Sequence, residues 1–329
     1  MNLIITDRCN RACPYCFAQE KVRLSEGKVG MRFLSLPDLQ YCLEFLKRSR
    51  RRDLKLLGGE PTMHPEFIQI VEQALSHRIK VLVFTNGLWS TEVADYVAQN
   101  RNSSFTFLFN VNELHLQSRW ENERQAETLK LAGPRGRIGF NLYRTDFDLR
   151  FVEGLIDRFD LTREVRLGIA HPIAGHDNHY VADRDLPMVG ERLLNQLDEL
   201  QRKDILVSLD CGLPLCMFPE ELLGKLVTCA KPGVYSQCHP IIDVGPDLTA
   251  WPCFPLSNLL NVNLRDFPSD FELTEYYDRK LAGIRNIGSM EKCLECRFRK
   301  RGQCCGGCIA RTLRNWEDNG DTSLLEKLK

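Results

Sequence analysis

The sequence predicts an α/β fold: a partial (β/α)6 barrel over residues 1–210, followed by a small Cys-rich domain over residues 211–329. Short apolar runs alternate with amphipathic stretches through the first two-thirds of the chain, the pattern of a parallel sheet with helical crossovers. After about residue 211 that periodicity fades, and Pro, Gly and Cys become dense. The fourteen cysteines also fall into two groups. Three lie within residues 9–16 and ten between 211 and 308, with Cys42 alone between them.

Seven runs read as strands: Leu3–Ile5, Leu54–Leu57, Val81–Phe84, Phe105–Val111, Ile138–Leu142, Val165–Ile169 and Ile205–Leu209. Between them, Leu36–Lys47 repeats apolar residues at helical spacing, and His64–Ala74 does so behind Pro65, a helix-start residue. Further helices are expected near Thr91–Ala98, Trp120–Leu131, Asp148–Phe159 and Glu191–Gln201. About six strand–helix units are too few to close an eight-fold barrel, so an open, TIM-type partial barrel is expected. Beyond it, Ile241–Phe254 reads as a hairpin turning at Gly245-Pro246-Asp247. A loop-rich domain with so little core needs staples, and metal clusters would serve.

Lys plus Arg and Asp plus Glu are equal at 44 each, giving zero net charge. That argues against a bulk footprint for nucleic acid or an anionic membrane. The basic run Lys47–Arg52 reads as a solvated helix end. No apolar run approaches the roughly 20 residues that span a bilayer, and the N-terminus is charged too soon for a signal peptide. A cytoplasmic location is expected. Thiols stay reduced there, so the cysteines point to metal ligation before disulfides.

Cys9, Cys13 and Cys16 follow the first strand in a C-x3-C-x2-C run. Three thiolates on one loop can hold three irons of a [4Fe–4S] cubane and leave the fourth iron open. Zinc asks for four protein ligands, usually as C-x2-C pairs, and fits this trio poorly.

With Tyr15 before the third Cys, the run resembles the signature of the radical S-adenosylmethionine (SAM) superfamily. Leu57-Gly58-Gly59-Glu60-Pro61-Thr62, ending the second strand run, resembles that family's Gly-Gly-Glu-Pro motif, and Thr85-Asn86-Gly87 resembles the Thr-Asn-Gly found after its third strand. The resemblance covers the first 210 residues or so. It implies a [4Fe–4S] cluster on Cys9, Cys13 and Cys16 whose open iron chelates SAM. It also implies SAM contacts from Tyr15, Gly58, Gly59, Glu60, Pro61, Thr85 and Asn86. On the fourth strand, Asn110 and Asn112 point the same way and are candidates for a ribose or carboxylate contact, or for a strand-end turn. Ile138-Gly139-Phe140-Asn141 is expected to supply an apolar floor under the adenine. His171 reads either as a satisfied structural histidine or as a residue facing the substrate.

Late in the chain, Cys238-x14-Cys253 spans the hairpin, and Cys293-x2-Cys296-x7-Cys304 leads into Cys305-Gly306-Gly307-Cys308. This resembles the SPASM extension, or its shorter twitch relative, which hold two and one auxiliary [4Fe–4S] clusters. The resemblance implies ligands among Cys238, Cys253, Cys293, Cys296, Cys304 and Cys308. Three departures stand out: seven residues where SPASM has five, Leu248 where it has Gly, and no Cys after Cys308 where it has a final ligand. Cys211, Cys216, Cys229 and Cys305 are available substitutes. Cys211–Cys216 reads equally as a ligand pair or an inert loop, a zinc ribbon remains the other reading of the late cysteines, and Cys42 reads as a core thiol.

The implied activity is reductive cleavage of SAM to a 5′-deoxyadenosyl radical, hydrogen abstraction, and oxidative modification of a peptide or protein side chain. An electron donor of the flavodoxin or ferredoxin kind is implied. Because the chain starts almost at the triad, a separate leader-peptide-binding protein is expected. Oxidation or rearrangement of a small molecule is the alternative. The segment Ile4–Cys13 also resembles the molybdopterin-precursor cyclases, without their Gly-Gly tail. A non-catalytic metal-binding module is the remaining class. No residue is assigned as the catalytic base beyond Asp210, named for its place at a strand end.

Overall fold

The computed structural model describes residues 1–18, 32–230, 236–285, 287–326 and 328. One sheet of ten strands organises it, in the order β10-β9-β8-β1-β2-β3-β4-β5-β6-β7. Seven strands, β1 (Asn2–Ile4), β2 (Asp53–Leu57), β3 (Lys80–Thr85), β4 (Phe105–Asn110), β5 (Gly136–Leu142), β6 (Glu164–Ile169) and β7 (Leu206–Leu209), run parallel in chain order. Among the described residues, six helices cover them: α1 (Leu36–Arg48), α2 (Phe67–Ser76), α3 (Thr91–Gln99), α4 (Arg119–Ala132), α5 (Arg150–Phe159) and α6 (Leu186–Arg202). This is the expected partial (β/α)6 barrel, with β7 added.

Each helix buries one stripe against the strands. In α1 the stripe is Leu39, Cys42, Leu43, Phe45 and Leu46, so Cys42 is a core thiol. Ser35 caps α1 through the Asp38 amide, and Ser118 with Glu121 forms a capping box on α4. The first of these ends where the basic run begins. Arg51 pairs with Asp270, and Ser49 accepts the Asp270 amide, so that run docks the start of α8 (Asp270–Arg285) instead of pointing only to solvent.

The hairpin forms where expected, with β8 (Asp243–Val244) against β9 (Thr249–Trp251). It also joins the barrel sheet: β8 runs parallel to β1, with Asn2 opposite Asp243, and β10 (Val262–Asn263) flanks β9. More helix follows residue 211 than the sequence reading expects: α7 (Leu223–Cys229), α8, α9 (Arg297–Lys300), α10 (Ile309–Asp318) and α11 (Ser323–Glu326). The stripe Leu273, Tyr277, Leu281 and Ile284 of α8 recurs at helical spacing and was the available signal. A satellite core that includes Leu256, Leu281, Ile284, Ile309 and Leu313 sits beneath these helices. No helix among the described residues is long and apolar enough to cross a membrane.

Candidate functional site

Parallel strands deliver their following loops to one end of the barrel, and the motifs gather there. The loop carrying Cys9, Cys13 and Cys16 leaves β1 and lies directly on the Gly58-Gly59 turn that ends β2. A side-chain carbon on Gly58 would sit 2.6 Å from the Thr6 carbonyl oxygen, and one on Gly59 only 2.3 Å from the Arg8 carbonyl oxygen. Glycine is therefore required for the two loops to meet. The Gly59 and Glu60 amides donate to the Thr6 and Arg8 carbonyls at 2.9 and 2.7 Å, sealing that contact.

Glu60 is buried and joins the second loop to the third. It accepts from the Thr62 and Thr85 hydroxyls at 2.7 and 2.8 Å and from the Asn86 amide at 2.7 Å. Burial pushes its carboxyl up, and these donors oppose that shift. Thr85 also accepts from the Trp89 indole at 2.8 Å, and Asn86 reaches Asn10 beside Cys9 at 2.8 Å. Pro61 opens a buried single turn, Pro61–Met63, which delays α2 to Phe67. The Gly-Gly-Glu-Pro and Thr-Asn-Gly segments thus form one hydrogen-bonded frame under the cysteine loop.

A cavity of about 420 Å³ opens from this frame into the barrel. Cys9, Cys13, Tyr15, Cys16, Gly58, Gly59, Glu60, Thr85, Asn86 and Asn110 face it. Asn112 does not line it. It lies past the end of β4, where its side chain accepts from the Tyr15 hydroxyl at 2.7 Å and so holds the ring that stacks on Tyr143. The apolar floor expected from β5 is overturned. Strand alternation turns Ile138 and Phe140 toward the helices, where Phe140 meets Phe151, and turns Asn141 inward.

The cavity lining instead mixes the apolar Leu57, Phe84 and Ile169 with charged and polar groups. Lys55, Asn141 and Asp243 are among the latter, as are Arg166 and its ion-pair partner Asp210. Sequence reasoning missed Lys55, Arg166 and Asp243, although each occupies an inward position on its strand. His171 is buried at the far wall, where Arg311 donates to its Nδ1 at 3.1 Å. Burial, reinforced by Arg311, pushes its pKa down to about 3, so the ring is neutral. It is a satisfied structural histidine whose ring also borders the cavity.

The same cavity reaches the late cysteines: Cys211, Cys238, Cys253 and Cys308 line its other end. Cys308 is the N-cap residue of α10, with no side-chain cap hydrogen bond. Gly306 and Gly307 take φ of +87° and +97°, the left-handed turn that brings Cys304 and Cys308 round. Leu248, where the SPASM resemblance expects Gly, does adopt a left-handed φ of +60° while buried. Cys293, Cys296, Cys304 and Cys216 stand apart from the cavity.

Both cysteine groups fit iron–sulfur clusters. Burial is the first cause that pushes Cys9 and Cys308 up to about 12, so thiolates there need the positive charge that iron would supply. Among the described residues no disulfide forms, and no three His, Cys, Asp or Glu side chains converge as a single metal ion requires. A cubane spreads its thiolates over separate irons, and suits such groups better than zinc.

An open parallel barrel with a cysteine loop after its first strand and a glycine turn after its second defines a class of cluster-dependent α/β enzymes. Residues 3–142 match the Radical SAM superfamily. It is 35% identical over 88 residues to an S-adenosylmethionine-dependent nucleotide dehydratase of Selenomonas ruminantium, covering 26% of this chain and 29% of that protein. It is 34% identical over 95 residues to the mycofactocin maturase MftC of Mycobacterium tuberculosis, covering 29% of this chain and 23% of that protein. These matches thus span less than a third of the length of either relative. Streptococcus suis SuiB bound to S-adenosylmethionine shares the fold, with a TM-score of 0.66 at 17% identity over 95% of this chain and 73% of SuiB. SuiB has also been solved bound to its precursor peptide SuiA.

Proposed function

We propose that the protein oxidatively modifies a peptide or protein side chain by a crosslink, a thioether or a dehydrogenation. In this reading Cys9, Cys13 and Cys16 hold the SAM-cleaving cluster, and the late cysteines hold at least one auxiliary cluster. The carrying observation is the single cavity with cysteines at both ends, three from the first loop and four from the late segments. When bound, the cluster supplies the electron that splits SAM into methionine and a 5′-deoxyadenosyl radical. The chain's own residues position the reactants. Gly58 and Gly59 let the second loop meet the cysteine loop beside the cofactor, and Asn86 and Asn110 offer amide groups to the cofactor's polar parts. Arg166 holds the Asp210 carboxylate in the cavity lining, where it can accept a proton as the substrate is oxidised. Cysteines at the far end put an electron acceptor within reach of the substrate. MftC and the peptide-bound SuiB support the choice of peptide substrate. A flavodoxin- or ferredoxin-like donor, a separate leader-binding protein and a cytoplasmic location belong to the same reading.

The small-molecule reading draws on the likeness to the nucleotide dehydratase and on Lys55 and Arg166, cations suited to an anionic substrate. Anaerobic reconstitution with dithionite and SAM, alongside peptides encoded near the gene, separates the two. Peptide lacking two hydrogens, formed together with 5′-deoxyadenosine, is the expected result. Turnover stimulated by nucleotides or sugars alone would move the assignment to the small molecule. No 5′-deoxyadenosine under any condition would end the enzyme reading.

A further inference from the structure

Resting on that reading, we propose that the chain holds two auxiliary clusters, with the loop Cys211–Cys216 supplying one thiolate to each. The inner cluster takes Cys211, Cys238, Cys253 and Cys308. The outer takes Cys216, Cys293, Cys296 and Cys304. The outer site is thereby completed from upstream, by the loop after β7.

The inner four come from four separate segments and all face the central cavity. The backbone after Cys211 runs against the last of them, since a side-chain carbon on Gly212 would lie 3.2 Å from Cys308 Cβ. None of the outer four lines the cavity. A side-chain carbon on Gly306 would lie 3.4 Å from Cys293 Sγ, which sets Cys293 beside the turn between Cys304 and Cys308.

Independent contacts hold the Cys216 loop in place. A carbon on Gly307 would lie 3.8 Å from Pro214 Cβ, and Glu220 forms an ion pair with Arg297, the residue after Cys296. On the facing side, the Gly306 amide donates to Cys304 Sγ at 3.3 Å.

The three remaining cysteines are otherwise engaged. Cys42 is packed in α1, Cys229 donates to Gln201 Oε1 at 2.9 Å, and Cys305 donates to the Gly307 carbonyl at 3.2 Å. Cys305 is the nearest rival, since it neighbours both Cys238 and Cys304, and it therefore serves as the control.

The test counts iron and sulfide in the full chain after anaerobic reconstitution. Wild type is expected to carry about twelve irons and the Cys9/Cys13/Cys16→Ala variant about eight. Adding Cys216→Ala to that variant should leave about four, or convert one cluster to a three-iron form seen by EPR, whereas adding Cys305→Ala should leave about eight. Cys216→Ala retaining all of its iron with no three-iron signal would overturn the proposal, as would loss on Cys305→Ala alone. Alkylation mapping guards against misfolding of the variants. In wild-type protein, cluster loading should protect Cys216 and leave Cys305 labelling unchanged; equal labelling of Cys216 with and without clusters would also overturn it. The radical SAM reading fails separately, if the triad substitution removes no iron or 5′-deoxyadenosine does not form.

Discussion

The two ends of the cavity are built in opposite ways. At the barrel mouth, three cysteines sit within eight consecutive residues on one loop, and the second and third β/α loops brace that loop from below. At the far end, Cys211, Cys238, Cys253 and Cys308 come from a strand-end loop, a hairpin approach, a hairpin exit and a helix cap. The first grouping is set by local sequence, and the second by topology. Damage to the first should therefore stay local, whereas the second depends on how several segments dock.

The strongest test of that contrast is Cys9/Cys13/Cys16→Ala. Formation of 5′-deoxyadenosine should fall to background by chromatography, while thermal melting and the late iron remain close to wild type. A collapse of the whole fold would break the distinction. Next comes Arg311→Met. Arg311 is buried and binds His171, the Val181 and Ala170 carbonyls and Asp183, tying α10 to the loop after β6. Breaking such a network should cost about 3–5 kcal/mol, read by denaturant unfolding, and should release late iron before triad iron.

Glu60→Gln keeps the shape but turns one acceptor into a donor facing a neighbouring donor. A loss of about 1–3 kcal/mol is expected, with weakened SAM binding by calorimetry and unchanged late iron. The smallest effect is expected from Asn112→Ala, which frees the Tyr15 hydroxyl and should cost about 1 kcal/mol in the same unfolding assay. A large loss of SAM affinity in that variant would mean that Asn112 reaches the cofactor after all.

The same contrast explains what the sequence could reveal. The triad and the Gly-Gly-Glu-Pro turn are contiguous, so their chemistry is legible from spacing. The strands and helices are legible because the sequence patterns match them closely: the strand run Val165–Ile169 lies within Glu164–Ile169, and the helical stretch Thr91–Ala98 within Thr91–Gln99. Helix α6 begins at Leu186, before the expected Glu191, since Pro187 is tolerated in its first turn. The grouping of the late cysteines was not legible. Which thiol meets which depends on β8 pairing with β1 and α10 docking under His171, contacts between residues more than a hundred positions apart. Asn110 and Asn112 share a side only while the strand continues, and β4 ends at Asn110.

The pairing of β8 with β1 also sets an order of assembly. Asn2 donates to Asp243 at 2.6 Å, and Leu3 lies opposite Val244, across some of the longest sequence separations in the molecule. During synthesis the first strand leaves the ribosome early, yet its outer edge has no partner until residues 243–244 follow. The strand that launches the Cys9 loop is thus among the last to be enclosed. A folding intermediate holding β1–β7 but lacking β8 would present an open edge at the strand that launches the Cys9 loop. Closing that edge is long-range pairing, which is intrinsically slow.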